Sequence, residues 1–518
     1  MRRALRFLTL AIFAVYPFAA DRAAANDLAK RIEALIDAPE FQHAHWGLLI
    51  VDMESGDTLY ERAADKLFAP ASTTKLFSVA AALDEFGADY RFETPVYADG
   101  QVDSDGRLHG NLVLVASGDL TMGGRTDEAG HIAFVDSDHT YANFSRSAEI
   151  TRSDPLAGLN ELARQVAAGG IKHVAGDVLI DDRLFDTAQG TGSGPGRLTP
   201  IMINDNLIDV RILPTTPDHP AKVEWRPHTS AVRVDVQVET VRSEDETRVD
   251  IESPIGDVVI VHGQIAAEAK PLVRIHEVPD AASFARSLLI EALRRAGVDV
   301  QASPLESNDD DELPDEEDYP GLSRVAVLKS PPFSESARLI LKVSHNLHAS
   351  TLPLLIAARH GERTLAAGLR RQHDFLAKAG IDVDTISFGG GAGGDRADYT
   401  SPRVTVQLLR YMATRPDFAV YHDALPILGE DGTLATAVPK DSPARGKVRA
   451  KTGTLVWSNT MNGTSILNSK ALAGYGTTHL GKRVAMSLVV NQVQIAKSED
   501  RERIGQVLGR LCEAICEE

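Results

Sequence analysis

The sequence predicts an α+β fold whose principal sheet is built from both ends of the chain, and three observations predict it. Strand-like segments lie near the N-terminus and again near the C-terminus, with long helical patterns ahead of the second group. Short strands punctuated by turn signals fill the stretch from about residue 95 to 320, which therefore reads as an insertion. At 518 residues the chain is long enough for roughly two to four domains with cores of their own.

Taken in order, Leu28 to Ile36 reads as an opening helix. Trp46 to Val51 is an apolar run of strand length, Ser55-Gly56-Asp57 is a turn, and Thr58 to Glu61 returns as the second strand of a hairpin. A helix starting at Ser72 runs to Phe86 and stops at Gly87, which suits a C′ position because glycine accepts positive φ. Its apolar positions go nearly all the way round, which predicts burial on most sides. In the insertion, Asn111 to Val115, Asp177 to Ile180, Leu207 to Val210, Val232 to Val241 and Val258 to Gln264 read as strands. Pro155 to Ala168 and Ala281 to Ala296 read as helices there, and the acidic stretch Glu306 to Asp318 reads as a solvated loop. Helical patterns return over Ser336 to Asn346, Leu352 to His360, Leu365 to Ala379 and Thr405 to Ala413. Strands follow at Val448 to Leu455, Leu472 to Gly476 and Val484 to Val490, and a helix from Glu502 to Cys516 ends the chain.

Composition bounds the function. The content is ordinary for a globular protein, 43% hydrophobic and 25% charged, and the formal net charge of −19 argues against nucleic acid or an anionic membrane as partner. Arg2, Arg3 and Arg6 precede an apolar run from Phe7 to Ala20, and Ala23-Ala24-Ala25 follows, the pattern of a secretory signal cut before Asn26. The run is shorter than the roughly 20 residues a membrane span needs, so the expectation is an exported chain without a transmembrane anchor. Cys512 and Cys516 are the only cysteines; on one helix at i,i+4 a bond between them would be strained, and two cysteines make no disulfide framework. A metal site is not expected: His345 and His348 are i,i+3 but have no evident carboxylate partner in the sequence.

Chemistry is carried by three short motifs. Ser72 and Lys75 stand three residues apart at the head of the buried helix and so share a face. Ser-x-x-Lys is common by chance, and its bland reading is a capping serine beside a snorkelling lysine. The sharper reading is a serine nucleophile whose proton passes to a lysine kept neutral by burial and by a second cation. That cation has a candidate in Lys451-Thr452-Gly453-Thr454 on a predicted strand, where Gly453 permits close backbone approach and Thr452 offers a hydroxyl. Between the two lies Ser344-His345-Asn346, whose hydroxyl and amide could relay a proton and orient a substrate amide. Each motif is weak alone. The ordered set Ser-x-x-Lys, Ser-x-Asn, Lys-Thr-Gly is far more specific, and it is the set of class A β-lactamases and penicillin-binding proteins.

The gap between Ser72 and Ser344 is too long for a β-lactamase and resembles the class C low-molecular-mass penicillin-binding proteins, the D-alanyl-D-alanine carboxypeptidase/endopeptidases of peptidase family S13 (penicillin-binding protein 4 type). The phrases "ESGDTLYERAADKLFAPASTTKLFSVAAALDEFGADYRFET", "GNLVLVASGDL", "GDVLIDDRLFD", "INDNLIDV", "LPILGEDGTLA", "VRAKTGTL" and "ALAGY" extend the resemblance over nearly the whole chain. It implies a β-lactamase-like transpeptidase domain over residues 26–95 and 320–518, an inserted domain over 96–212 and 266–319, and a β-rich domain nested at 213–265, behind a signal at 1–25. It also implies site roles. Ser72 would be the nucleophile and Lys75 its base, with Ser344 and Asn346 as relay and substrate-orienting pair. Lys451 would support the electrostatics, Thr452 would bind the terminal carboxylate beside Gly453, and the N–H groups of Ser72 and Thr454 would form an oxyanion hole. The implied reaction needs no cofactor, acts on peptidoglycan stem peptides, and is blocked covalently by β-lactams. Oligomeric state is left open. Two other readings are a β-lactamase or esterase on the same fold, and a peptidoglycan-binding homologue without catalysis.

Three departures from the family pattern stand out. Leu347-His348-Ala349-Ser350 replaces Leu-x-Ala-Glu after the second motif. A glycine-rich run at 389–394 replaces the usual Ser-Gly-Leu-Ser-Arg loop, and by itself reads as a flexible loop. The connection from Val456 to Lys470 is longer than expected.

Overall fold

The two sequence ends meet in one antiparallel five-stranded sheet. In the computed structural model, which describes residues 27–255 and 257–518, its order is Val448–Asn459, Thr464–Thr477, Arg483–Ile495, His45–Asp52, Thr58–Arg62. His45–Asp52 pairs along its whole length with Arg483–Ile495, with Trp46 opposite Val490 and Asp52 opposite Val484, so the first strand of the chain depends on the last. The proposed cleavage signal lies outside the described residues.

Strand alternation gives the sheet two apolar faces. Leu49, Val51, Ala473, Tyr475 and Ala485 face the helices Lys75–Phe86, Phe333–Val343, Asn346–Arg359 and Pro402–Met412. Leu48, Ile50, Leu472, Met486 and Leu488 face the other way, against the helix over residues 27–36 and the C-terminal helix Ser498–Cys516. That second layer buries both cysteines, which are free thiols. Burial pushes them up, Cys516 to about 11, so both are poor nucleophiles at neutral pH.

Residues between the halves build further sheets. Glu93–Val102 and Ser323–Lys329, one from each side of the insertion, pair with each other in a six-stranded sheet covered by the helices Ala157–Ala168 and Ala281–Arg295. Three- and four-stranded sheets follow, the latter formed within residues 219–266.

The last three strands are longer than the sequence reading had them, and the stretch read as a Val456 to Lys470 connection is largely their pairing, Val456–Asn459 against Thr464–Leu467. Three further boundaries bear on the site. Ser72 does not head an α-helix: Ala71–Thr74 is a 3₁₀ turn, and the α-helix begins at Lys75. The helix expected to run through Asn346 ends at Val343, because Ser344 takes the left-handed conformation (φ 63°, ψ 41°) and His345 then caps a new helix. That new helix starts six residues before Leu352 and carries Pro353 inside it.

Candidate active site

Lys75 is wholly buried, and its Nζ lies 2.8 Å from each of three oxygens: Ser72 Oγ, Asn346 Oδ1 and the Ala392 carbonyl. Burial pulls its pKa from 10.5 down to about 7, against the opposing pull of Asp398. A neutral amine fits this surrounding well. It has two N–H groups for the two carbonyl acceptors and a lone pair for the one neighbour that can donate, the Ser72 hydroxyl. The lysine expected as a second cation, Lys451, is fully buried. It does not account for the depression of Lys75, which burial supplies; Lys451 is instead itself held well below its ordinary value, by burial and then by Lys75.

Ser72 reaches this position on a strained turn. Ala71 has φ 47°, unusual for a residue with a side chain, and the Lys-Thr-Gly strand presses against it. A Cβ on Gly453 would lie 2.6 Å from the Pro70 carbonyl oxygen and 3.2 Å from Ser72 N, so this position accepts only glycine without a shift. Val448–Asn459 is also the edge strand of its sheet, so alternate N–H groups along it have no sheet partner.

The glycine-rich run at 389–394 is part of this site and not a flexible loop. The Gly391 carbonyl accepts from Ser78 Oγ and the Ala392 carbonyl from Lys75 Nζ. A Cβ on Gly393 (φ +87°) would sit 1.9 Å from the Ala71 carbonyl oxygen. One on Gly391 would sit 2.1 Å from the Ala349 carbonyl oxygen, the acceptor that Pro353, lacking an N–H, leaves free in its helix. Asp398 ties the run down by accepting the N–H groups of Gly389 and Asp395.

Ser344 and Asn346 are held from the insertion side. Tyr141 Oη donates to the Ser344 carbonyl at 2.6 Å, and Asn346 Nδ2 donates to Ser193 Oγ at 3.0 Å. Burial pushes Tyr141 up to about 12, so it stays a donor. Behind the motif, His345 and His348 stack at 3.7 Å over an inserted-chain network. His348 Nε2 lies 2.7 Å from Asp205 Oδ1, and Arg125 donates to both Asp138 and Asp205 at 2.7 Å. Burial opposes the charge on His139, yet Asp209 and Asp138 outweigh it and raise its pKa to about 10. His139 lies between Asp205 and Asp209, which favour its charged form, with Arg125 also 2.7 Å from its Nε2. Asn204, Asp205 and Asn206 all have positive φ, a strained turn in the "IND-N" segment that delivers Asp205.

The histidine pair thus does have a carboxylate partner, contrary to the sequence reading. Asp205, His345 and His348 bring their ligand atoms within 4.8 Å of one another. Arg125 lies 2.7 Å from Asp205 and 3.3 Å from His345, and His139 lies 2.9 Å from Asp205, so Asp205 is already ion-paired.

All the residues singled out from sequence converge. Ser72, Ser344, Asn346, Thr452 and Thr454 line one cleft of about 1030 Å³, with Lys75, Lys451 and Gly453 immediately behind it. Thr452 Oγ1 is bonded at 2.7 Å to the hydroxyl of Thr433, another cleft residue. Sequence reasoning did not single out Tyr141, Ser193, Asp205, Asp398 or Thr433. Asp205 and Thr433 lie in segments that carried the family resemblance; the others gave no local signal.

A family model described as the D-Ala-D-Ala carboxypeptidase 3 (S13) family matches residues 28–511. The chain is 27% identical over 514 residues to a D-alanyl-D-alanine carboxypeptidase of Actinomadura sp. (strain R39), covering 93% of this chain and 85% of that one. It is 23% identical to the D-alanyl-D-alanine carboxypeptidase DacB of Haemophilus influenzae, over 88% and 87% of the two chains. The crystal structure of penicillin binding protein 4 (dacB) from Haemophilus influenzae superposes with a TM-score of 0.68 at 20% identity, covering 94% of this chain and 97% of that one.

Proposed function

The chain belongs to the D-Ala-D-Ala carboxypeptidase 3 (S13) family, and on that premise we propose that it is a serine DD-peptidase acting through an acyl-enzyme on Ser72. Its substrates are D-Ala–D-Ala termini of peptidoglycan stem peptides, D-Ala–diaminopimelate cross-links, or both. The observation that carries the assignment is the placement of the wholly buried Lys75 Nζ 2.8 Å from Ser72 Oγ and from Asn346 Oδ1.

In this reading Lys75 takes the Ser72 proton as Oγ attacks the peptide carbonyl. The N–H groups of Ser72 and Thr454 hold the oxyanion, which the close approach of Gly453 to Ser72 N supports. Ser344 and Asn346 orient the substrate amide and relay the proton to the departing amine, while Lys451 and Thr452 shape the field and the carboxylate site. Water then hydrolyses the ester. When the same ester is formed with a β-lactam, the amine freed by ring opening stays tethered to the acyl group and does not clear the way for water, so the ester persists; a structure of the Haemophilus relative is described as complexed with a β-lactam. The basic and apolar N-terminal segment supports export, and among the described residues no helix is long and apolar enough to cross a membrane. Pairing of Glu93–Val102 with Ser323–Lys329 supports an inserted domain entered and left beside residues 95 and 320.

Fluorescent penicillin should label the protein covalently, and Ser72→Ala should remove the label. Labelling that survives the substitution would falsify the assignment of Ser72.

A further inference from the structure

A second cavity, of about 760 Å³, shares no lining residue with the catalytic cleft. It opens at the end of the main sheet where Val448–Asn459 begins, Thr464–Thr477 finishes and Arg483–Ile495 begins. Lys447 and Arg483 flank Thr477 there: the Lys447 carbonyl accepts from Thr477 N–H at 3.0 Å, and Thr477 pairs with Arg483. One row further in, Arg449 pairs with Tyr475. Strand alternation sends Val448 and Val484 into the core on one face, so Lys447, Arg449 and Arg483 share the other. Arg410 joins them from the last turn of the helix Pro402–Met412. Of these four cations only Arg449 has a carboxylate partner, the exposed Asp423 at 3.6 Å. Among the described residues Arg410, Lys447 and Arg483 take part in no ion pair, whereas Arg403 and Arg415, at either end of the same helix, are paired with Glu61 and Asp417.

Aromatic rings complete the cavity. Tyr475 is its buried floor, with the hydroxyl donating to the Leu409 carbonyl at 2.8 Å, and the Phe418 and His422 rings stand against it at 5.3 and 5.5 Å. Burial lowers the pKa of His422, Asp423 opposes, and Arg449 and Arg483 add to the lowering. In a chain of net charge −19, cations gathered without carboxylates repel one another until an anion from outside joins them. Cations arriving from separate elements surround a tetrahedral phosphate better than a planar carboxylate, and guanidinium forks match its oxygens in pairs. The volume lies within the range of small-molecule sites, about 300–1,000 Å³. We propose that this cavity binds a phosphorylated sugar, with the phosphate on Arg410, Lys447 and Arg483 and the sugar ring against Phe418 and Tyr475. The site stands apart from the Ser72 reading and does not depend on it.

The test is calorimetric titration of the protein with α-D-glucose 1-phosphate, with glucose and inorganic phosphate as controls. A second arm sediments it with phosphatidylcholine vesicles, with and without phosphatidylinositol, which carries the same chemistry as a lipid headgroup. The sugar phosphate should bind at least about tenfold more tightly than either control. Lys447→Gln combined with Arg483→Gln should weaken it about 10- to 100-fold. Phe418→Ala should reduce it to the level of inorganic phosphate. Sedimentation with phosphatidylinositol vesicles alone assigns the site to a headgroup, and binding in the titration assigns it to a free sugar phosphate. Arg410→Gln, on a different element, should repeat the loss if melting curves show the double variant to be misfolded. The proposal is overturned if neither arm shows binding, if binding survives the charge substitutions, or if glucose binds as tightly as its phosphate.

Discussion

At the scale of single residues, the proposed mechanism turns on the protonation of Lys75. With a pKa of about 7 the amine is half-neutral at neutral pH, and only the neutral form can accept from Ser72. The sign follows directly: acylation rises as pH increases through about 7 and falls about tenfold per unit below it. Lys75→Met should remove that limb and cut acylation by about 10²- to 10⁴-fold. Stopped-flow acylation between pH 5 and 9 reads both effects, and a limb persisting in the variant would move the base elsewhere. The sequence paired Lys75 with Ser72 through their spacing on a shared face. It gave no sign of Asn346 Oδ1 or the Ala392 carbonyl as the two other partners, because one is a long-range contact and the other a backbone atom.

At the scale of elements, the decisive pieces are the corners. Ser344 is displayed where one helix ends and the next begins, and the left-handed φ it adopts is stabilised by the Tyr141 bond to its carbonyl. Periodicity reads straight through such a corner, since apolar spacing continues on both sides, which is why the helix boundary was misjudged. The glycine run is the second corner. Composition alone makes glycines look like slack, whereas here Gly393 lets the Ala71 carbonyl of the Ser72 turn come close and Gly391 the Ala349 carbonyl of the Asn346 helix. Gly393→Ala must relieve both a positive φ and a 1.9 Å approach to the Ala71 carbonyl. The expected result is at least a tenfold loss of penicillin acylation and about 1–3 kcal/mol of stability. Urea unfolding combined with acylation kinetics would expose the error if the variant behaved like wild type.

At the scale of the molecule, the stretch between residues 96 and 319 is bonded into the site. Arg125, Asp138, His139, Asp205 and Asp209 come from the inserted segments, yet they close on His345 and His348 behind the second motif. Such a buried network is costly to break from one side, about 3–5 kcal/mol when a charged partner is lost. Its stability also depends on pH in a definite direction. His139 is raised from 6.5 to about 10, so its contribution is complete below about 6.5 and disappears as pH rises through about 10. Calorimetry should show the insertion and the main sheet melting in one transition near pH 6, with Asp205→Asn splitting the trace into two. Two well-separated transitions in the unmodified protein would rule out this coupling.

The reaction class was written in the sequence, because the Ser-x-x-Lys, Ser-x-Asn and Lys-Thr-Gly motifs are each local and their order is diagnostic. So were the two-ended sheet, whose strands carry their own apolar runs, and the buried character of the Lys75 helix. Three things were decided only on folding: the origin of the depressed lysine in burial, the use of the glycine-rich run as a wall, and the carboxylate that meets His345 and His348. Each depends on atoms that come within a few ångströms from segments more than a hundred residues apart, or on the position of a backbone carbonyl. Residue type and spacing encode neither of these, whereas they encode local motifs and periodic faces well.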